Sequence, residues 1–557
     1  MTQKRISAAE MSASLDTAAN APVRVVIVTM DSHLSSAAAR AEAALARDIP
    51  GLTLAVHAAD EWGSDSEALD ACRRDIAAGD IVIATMLFME DHIRPVLPAL
   101  QARRDGCDAM LCCMSAGEVT KLTKLGRFDM SQEAKGALAM LKRLRGGSKA
   151  GAPSSGKDQM KMLRRLPKLM RFIPGTAQDV RTYFLALQYW LAGSDENLAN
   201  LVRMLVGRYA SGERRMLAGK VQAAAPVEYP DVGLYHPHAP GRVVELLDQL
   251  PRGGLAGTVG VLLLRSYLIS GNSAHYDGVI AALEARGLRV VPAFASGLDA
   301  RPAIERFFMR DGVPAVDAVV SLTGFSLVGG PAYNDSRAAE TILAALDVPY
   351  VTAHPVEFQT LDQWQSDPRG LLPVEATMMV ALPELDGGMA PMTFGGRCGR
   401  AQTANPCAGC DGKTCARDMV VHPERAAMLA LRVSRLVALR RSARANRKVA
   451  AVLFNFPPNA GATGTAAYLA VFNSLHNMLG ALRDAGYTVE VPETVEDLRE
   501  QVTIGNAARH GTDANVAVRI PVDAHVRGQP WLAEIERSWG PAPGRAQADG
   551  TGIFVLG

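Results

Sequence analysis

The sequence leans to no one sign of charge. Its 59 basic and 57 acidic residues leave a formal net charge of +2, so no global field favours nucleic acid or an anionic membrane as a partner. No run of about 18 uninterrupted apolar residues occurs, which argues against a membrane-spanning helix. The N-terminus, MTQKRISAAEMSASLDTAANAP, is polar and lacks the apolar core of a secretory signal. Eight cysteines in 557 residues do not make a secreted disulfide scaffold. These absences together point to reducing cytoplasm, with at most peripheral attachment to a membrane. The Gly-rich turn FNFPPNAGATGTAAYLAVF has no Lys after its last Gly and is not a P-loop, so ATP hydrolysis by this chain is not expected. Neither a Ser–His–Asp grouping nor a glycosidase-like carboxylate pair is legible in linear order.

What is present is the balance of a globular protein, 48% hydrophobic and 21% charged residues over a length that exceeds one ordinary core. The expected fold class is α/β and multidomain, with doubly wound parallel sheets and an inserted helical region. A flexible N-terminus over 1–21 precedes a first α/β domain over 22–125. There VRVVIVTM, LTLAVHA, DIVIATML and DAMLCCM alternate with helical stretches. Continuous apolar runs of this kind read as strands buried on both faces. Residues 126–175 form a basic linker with flanking helices. From Lys121 to Arg171 there are 14 Lys or Arg against Asp129, Glu133 and Asp158. Such a belt suits an acidic partner or the carboxylates of a ligand, although a solvated linker is the plainer reading.

A helical region follows over 176–255. Thr176 and Asp179 suggest a capping box, and Phe184, Leu187 and Leu191 share a face. Ser194 is expected to cap the next helix, with Leu198, Leu201, Val202 and Leu205 on its apolar stripe. Tyr189 and Trp190 could wall a flat ligand, but core packing is the expectation for both. A second α/β domain over 256–396 runs from TVGVLLLRS through RVVPAF, DAVVSLTG and VPYVTA to the apolar run TMMVALPEL. Residues 397–418 are a cysteine-rich loop. Residues 419–557 hold a long helix opened by Pro423, then a third α/β unit beginning with strand VAAVLFNF and left incomplete.

The cysteine loop carries the most specific chemistry. Cys398, Cys407, Cys410 and Cys415 are spaced C-x8-C-x2-C-x4-C in a segment rich in Gly and polar residues. Four thiolates within reach can complete the shell of a soft metal centre. Zinc usually takes two short paired knuckles, and only one C-x2-C is present. The spacing therefore favours an iron–sulfur cluster, [4Fe-4S] in type, with zinc as the alternative and four reduced thiols as the bland one. Cys112 and Cys113 read as core; Cys72 and Cys107 are isolated. A weaker signal is FNFPPNAGATGTAAYLAVF, where Gly461, Gly464 and Thr465 are candidates for an anion site at a helix N-terminus. An ordinary tight turn explains them equally well. Gly329 and Gly330 make a similar turn, and His236 and His238 in YHPHAP are treated as loop histidines.

Several long segments in order resemble the large (H) subunit family of magnesium chelatase. They are VVIVTMDSHL, KLTKLGRFDMS, LRRLPKLMRFIPGTAQDVRTYFLALQYWLAGSDENL, GFSLVGGPAYNDSRAAETILAALDVPYVTAHPVEFQTLDQW, VALPELDGGMAPMTFGGR and the strand–turn–helix stretch beyond Val452. The cobalt chelatase large subunit is a weaker match. The resemblance implies binding of protoporphyrin IX and insertion of Mg2+, both as substrates, with ATP hydrolysed by separate AAA+ motor subunits. It also implies a downstream Mg-protoporphyrin methyltransferase as a further partner. The cysteine loop points to the bacteriochlorophyll branch, whose members are associated with an oxygen-sensitive iron–sulfur cluster. A non-catalytic tetrapyrrole carrier or redox-responsive regulator is the competing reading. Members of the family continue with a stretch like HFGTHGSLEF, absent here, and this chain stops at GTGIFVLG. The expectation is an N-terminal half, inactive alone and without an assignable catalytic residue.

Overall fold

The structure is a computed structural model. It describes residues 22–30, 34–63, 66–131, 165–330, 333–399, 418–454, 463–464, 466, 468–503, 516–540 and 553–556. Two units are distinguished, residues 1–438 and 439–557.

The apolar runs of the first domain become the strands of a sheet. They are β1 (Val23–Thr29), β2 (Leu52–Ala58), β3 (Ile81–Thr85) and β4 (Ala109–Cys113), with the short pair β5 (Lys124–Leu125) and β6 (Phe128–Asp129). The order is β2-β1-β3-β4-β5-β6, parallel through β4 and antiparallel beyond it. Every residue of β3 and β4 is buried, as a strand covered on both faces must be. Helices α1 (Ser35–Leu45), α2 (Ser66–Ala78) and α3 (Leu97–Arg103) supply the crossovers. One face packs Val26, Val28 and Cys112 against Cys72, Ile76 and Leu100.

The other face packs Val25, Ile27, Ile83 and Leu111 against α1 and two further helices, α4 (Thr176–Ala192) and α5 (Asp195–Tyr209). The inserted helices thus complete the first sheet's core. Tyr189 and Trp190 are 2% and 6% exposed within it, as core rather than pocket wall. Leu198, Leu201, Val202 and Leu205 are all buried, and Ser194 Oγ accepts from Asn197 N at 3.2 Å, a cap worth about 1 kcal/mol. The capping box expected at Thr176 does not form. Gly175, at φ 78°, is the N-cap and no side chain caps the helix. Asp179 instead accepts from Arg127 N and Tyr209 OH, at 3.1 and 3.0 Å, because tying α4 to its neighbours leaves it unavailable to its own helix.

The strands of the second sheet are β7 (Val232–Tyr235), β8 (Val243–Val244), β9 (Gly257–Leu264), β10 (Leu288–Ala295), β13 (Ala318–Ser321), β16 (Tyr350–Thr360), β17 (Met389–Arg397) and β18 (Met419–Val421). Their order is β18-β17-β16-β13-β9-β10-β7-β8. The small hairpins β11 (Met309–Arg310) with β12 (Val313–Pro314), and β14 (Gly329–Gly330) with β15 (Tyr333–Asn334), lie outside it. Strands β10, β9, β13, β16 and β17 are mutually parallel; β7 and β18 run antiparallel to them, and β8 pairs antiparallel with β7.

Helix α6 (Ala274–Glu284) and the Pro423-opened α8 (Pro423–Arg441) cover one face, burying Leu429, Val433 and Val437. Helix α7 (Ser336–Leu346), capped by Asp335, helps cover the other. Gly260 in β9 makes room for Phe308, since a Cβ there would sit 2.8 Å from its ring. TMMVALPEL is helical rather than extended, continuing from Pro373–Glu375 through Ala376–Ala381 into Leu382–Leu385. Its long unbranched Met and Leu side chains suit a helix.

In the second unit, α9 (Val471–Asp484), α10 (Val495–Thr503), α11 (Val522–Gly528) and α12 (Leu532–Trp539) accompany one antiparallel pair, β19 (Val516–Ile520) with β20 (Ile553–Leu556). The strand expected from Val449 does not form over residues 449–454. No described strand of this unit pairs with it, and Val449, Val452 and Phe454 are 57%, 91% and 66% exposed.

Candidate functional site

Open parallel sheets take ligands outside the carboxyl ends of their strands, where the chain order reverses. In the first sheet this switch lies between β1 and β3, and in the second between β9 and β13. The structure brings the carboxyl ends of β1 and β2 against the carboxyl end of β17. Asp60, just past β2, pairs with Arg397, the last residue of β17. The Nη1–Oδ2 distance is 2.9 Å, with side chains only 5% and 10% exposed. Asp60 N also donates to Met30 O at 3.0 Å, which ties the pair to the end of β1.

The cysteine loop is rooted in this seam. β17 and β18 form an antiparallel pair with Arg397 opposite Met419, and Cys398 N donates to Asp418 O at 2.9 Å. Asp418 Oδ1 accepts from Ser36 Oγ in the first turn of α1. Met419 N donates to Asn272 Oδ1 at 2.8 Å, and Arg40 of α1 donates to Ser270 O at 2.6 Å. Both ends of the loop are therefore clamped to the first domain. Cys398 is 3% exposed at its mouth, and a Cβ on Gly399 would meet Thr360 Oγ1 at 2.8 Å. Cys407, Cys410 and Cys415 lie outside the described residues. Among those described, no group of three or more His, Cys, Asp or Glu could hold a metal ion.

The seam is rich in donors without partners. Arg397 Nε, Asn272 Nδ2, Thr29 Oγ1 and Ser35 Oγ are buried and make no hydrogen bond, and α1 has no side-chain cap. Buried orphans of this kind are rare, and several gathered at one place suit an oxygen-bearing ligand or ordered water. Strain gathers nearby. Met86 and Met114, ending β3 and β4, have φ of 60° and 48°, and Met86 N donates to Met114 O at 2.9 Å. Left-handed backbone at non-glycine residues persists only where its surroundings enforce it. Just beyond, Phe88 and Met89 are 55% and 45% exposed.

A second polar group lies at the ends of β13 and β16. His354 Nε2 meets Thr393 Oγ1 at 3.0 Å, and Ser321 Oγ meets Thr323 Oγ1 at 3.0 Å. Glu375, fully buried, accepts from Phe358 N at 3.1 Å, Leu372 N at 3.1 Å and Gln359 Nε2 at 2.6 Å, fixing the bulged end of β16. Burial pushes His354 down to about 4 and His275, stacked against Phe394, down to about 3, so both are neutral at pH 7.

The other candidates fall elsewhere. Gly464 has φ 74° and donates to Phe454 O at 2.9 Å; the next described helix, α9, opens only at Val471. Gly461 and Thr465 lie outside the described residues. His236 lies in the loop just past β7, as expected, but is 1% exposed with its Nε2 3.0 Å from Glu284 Oε1. Cys112 and Cys113 are core, as is Cys72. Asp60, Arg397, Asn272 and Asp418 were not legible as a site. Ser36 and Asp418 stand 382 positions apart, and only the fold joins them.

Residues 187–557 match a family model described as CobN/Magnesium Chelatase, and residues 24–184 match a domain of unknown function, DUF3479. The magnesium-chelatase H subunit of Cereibacter sphaeroides is 51% identical over 541 residues, covering 96% of this chain and 45% of that protein. That of Rhodobacter capsulatus is 48% identical over 537 residues, covering 96% and 44%. Among solved structures, the catalytic subunit of cobaltochelatase from Mycobacterium tuberculosis is similar with a TM-score of 0.54 at 20% identity, over 96% of this chain and 38% of that one. This last likeness concerns the fold. The chain spans a little under half the length of the curated relatives it matches.

Proposed function

The chain belongs to the CobN/magnesium chelatase family, and from that premise we propose that it supplies the porphyrin-handling half of the large subunit of a magnesium chelatase. The reaction is ATP-dependent insertion of Mg2+ into protoporphyrin IX on the route to (bacterio)chlorophyll. What carries this reading is 51% identity to a magnesium-chelatase relative along 96% of the chain. The lack of a lysine after the last Gly of the FNFPPNAGATGTAAYLAVF turn suits a division of labour in which AAA+ motor subunits hydrolyse ATP. Mg2+ surrenders its water shell reluctantly, which rationalises coupling insertion to a motor. A downstream Mg-protoporphyrin methyltransferase is the further partner of this reading.

The proposed porphyrin surface runs along the carboxyl ends of the two sheets, where Phe88 and Met89 offer an exposed apolar patch for a flat macrocycle. Titrating the 557-residue chain into protoporphyrin IX and following its fluorescence tests this. Saturable binding is expected, weakened at least about tenfold in Phe88→Ser/Met89→Ser, since covering two half-exposed apolar side chains is worth about 1.5–3 kcal/mol together. Equal affinity of the two proteins would remove the surface; no binding would remove the reading.

For the cysteine loop we propose an iron–sulfur cluster, [4Fe-4S] in type, held by Cys398, Cys407, Cys410 and Cys415. The donor set is soft, and the one described ligand fits: Cys398 is buried at the mouth of a loop whose two ends are hydrogen-bonded together. When bound, the cluster supplies a thiolate cross-link open to oxidation. Anaerobic purification with iron and acid-labile sulfide assays decides it. Both are expected in stoichiometric amounts and lost in Cys398→Ser; stoichiometric zinc instead would assign the alternative.

A further inference from the structure

The segment from Arg165 to Gly175 forms a ledge on the first α/β domain, and nothing in the proposed chelatase function uses it. Its inner side chains, Leu166 and Met170, are 7% and 9% exposed and join the core under α4. Its backbone is clamped from below. The Gln178 Nε2 amide donates to the carbonyls of Met170, Arg171 and Ile173 at 2.8, 3.2 and 2.6 Å. Arg181 Nε donates to Pro167 O at 3.0 Å. A segment held this way cannot fold its outer side chains back onto the protein.

Those outer side chains are large and apolar. Leu169 is 70% exposed, Phe172 85% and Ile173 46%. Single exposed hydrophobes need no explanation; three within five residues on a clamped backbone do. Arg165, Lys168 and Arg171 are exposed among them, and the Arg171 guanidinium lies 5.8 Å from the Phe172 ring centre. No acidic residue occurs from Gln159 to Gln178. The ledge therefore presents apolar tips and cations together, with no counter-charge of its own.

Its shape decides between occupants. Side chains this exposed have no walls, so a small molecule would gain none of the enclosure on which pocket affinity depends. A bilayer interface matches both features at their proper depths, anionic headgroups for the cations and the acyl boundary for the tips. We propose that the 165–173 ledge docks this chain peripherally on an anionic lipid surface. No helix of the described residues is long and apolar enough to cross a membrane, so the ledge would act as a surface anchor. This inference stands independently of the chelatase reading.

Vesicle co-sedimentation of the full 557-residue chain tests it, using phosphatidylcholine alone and phosphatidylcholine with phosphatidylglycerol. Partition into the anionic vesicles is expected to exceed that into neutral ones by at least about tenfold at low salt and to fall as salt rises. Leu169→Ser/Phe172→Ser/Ile173→Ser is expected to lose it about tenfold with unchanged thermal unfolding. Arg165→Gln/Lys168→Gln/Arg171→Gln is expected to lose the anionic preference. As a check that does not depend on loss, Phe172→Trp should add a blue-shifted emission on anionic vesicles relative to the parent chain. No partition, or equal partition by the parent and the triple serine protein, overturns the proposal. Failure of the serine protein to bind a purified motor subunit, with no vesicle binding by the parent, would assign the ledge to a protein partner instead.

Discussion

Replacing Asp60 by alanine leaves the Arg397 guanidinium in a seam where its side chain is 10% exposed and its Nε already lacks a partner. At 2.9 Å and an effective dielectric of about 20, the attraction between the two charges is about 6 kcal/mol. Most of this is offset by the cost of taking both ions out of water, so the pair adds little net stability. Breaking it is different, because one partner's desolvation then goes uncompensated, at about 3–5 kcal/mol. Urea unfolding of Asp60→Ala and of Arg397→Met should each show a loss in that range. Asp60→Leu/Arg397→Met, which replaces both ions with apolar groups, should recover at least about 2 kcal/mol relative to the sum of the single losses. Limited proteolysis between the two α/β domains should accelerate in the single variants only. Single losses below about 1 kcal/mol, the value of a solvated pair, or simple additivity would refute the reasoning and make the seam an ordinary surface contact.

Acid stability follows from the buried imidazoles. His275 and His354 have pKa values lowered by burial to about 3 and about 4. The unfolded chain takes up their protons first as pH falls, so their contribution is complete above about 6.5 and lost progressively towards those values. Between, unfolding free energy should fall by up to about 1.4 kcal/mol per pH unit for each group, and His354→Gln should remove one share of that slope; an unchanged slope would contradict its burial. Glu375→Ala should cost about 3 kcal/mol or more, because two backbone N–H groups and the Gln359 amide lose their acceptor, whereas a loss under about 1 kcal/mol would mean water replaces it. Trp190→Ala should cost about 3–5 kcal/mol as a core deletion while leaving the porphyrin affinity of the folded protein unchanged; a selective affinity loss would restore it to a pocket. Cys72 and Cys113, both pushed up to about 12 by burial, should resist alkylation in the native chain and react only on unfolding, read by peptide mass mapping.

Much of the architecture was legible in the sequence because buried parallel strands leave continuous apolar runs and helices leave a 3.6-residue stripe. VRVVIVTM and DIVIATML announced β1 and β3, and Leu198 to Leu205 announced the buried face of α5. Local chemistry was legible where it stayed local, as in the Ser194 cap and the Pro423 helix start. It failed where a distant partner competed. Asp179 left its expected capping role for Arg127 and Tyr209, and His236, in its expected loop, is buried against Glu284. VAAVLFNF has strand-forming residues, but a strand needs a neighbour, and over 449–454 none is described.

The sequence by itself determined the α/β class, the cysteine spacing and the family, because strands, ligand spacing and long matched segments are written in linear order. Only the tertiary structure decided where the cysteine loop is rooted. Arg397 and Asp60, and Ser36 and Asp418, come from opposite ends of the unit, and no pattern marks them. A charge becomes half of a buried pair only when folding removes the water around both halves. The ledge was decided the same way. RRLPKLMRFIPG reads in linear order only as part of the basic linker, and the clamp of Gln178 and Arg181 shows which side chains face out.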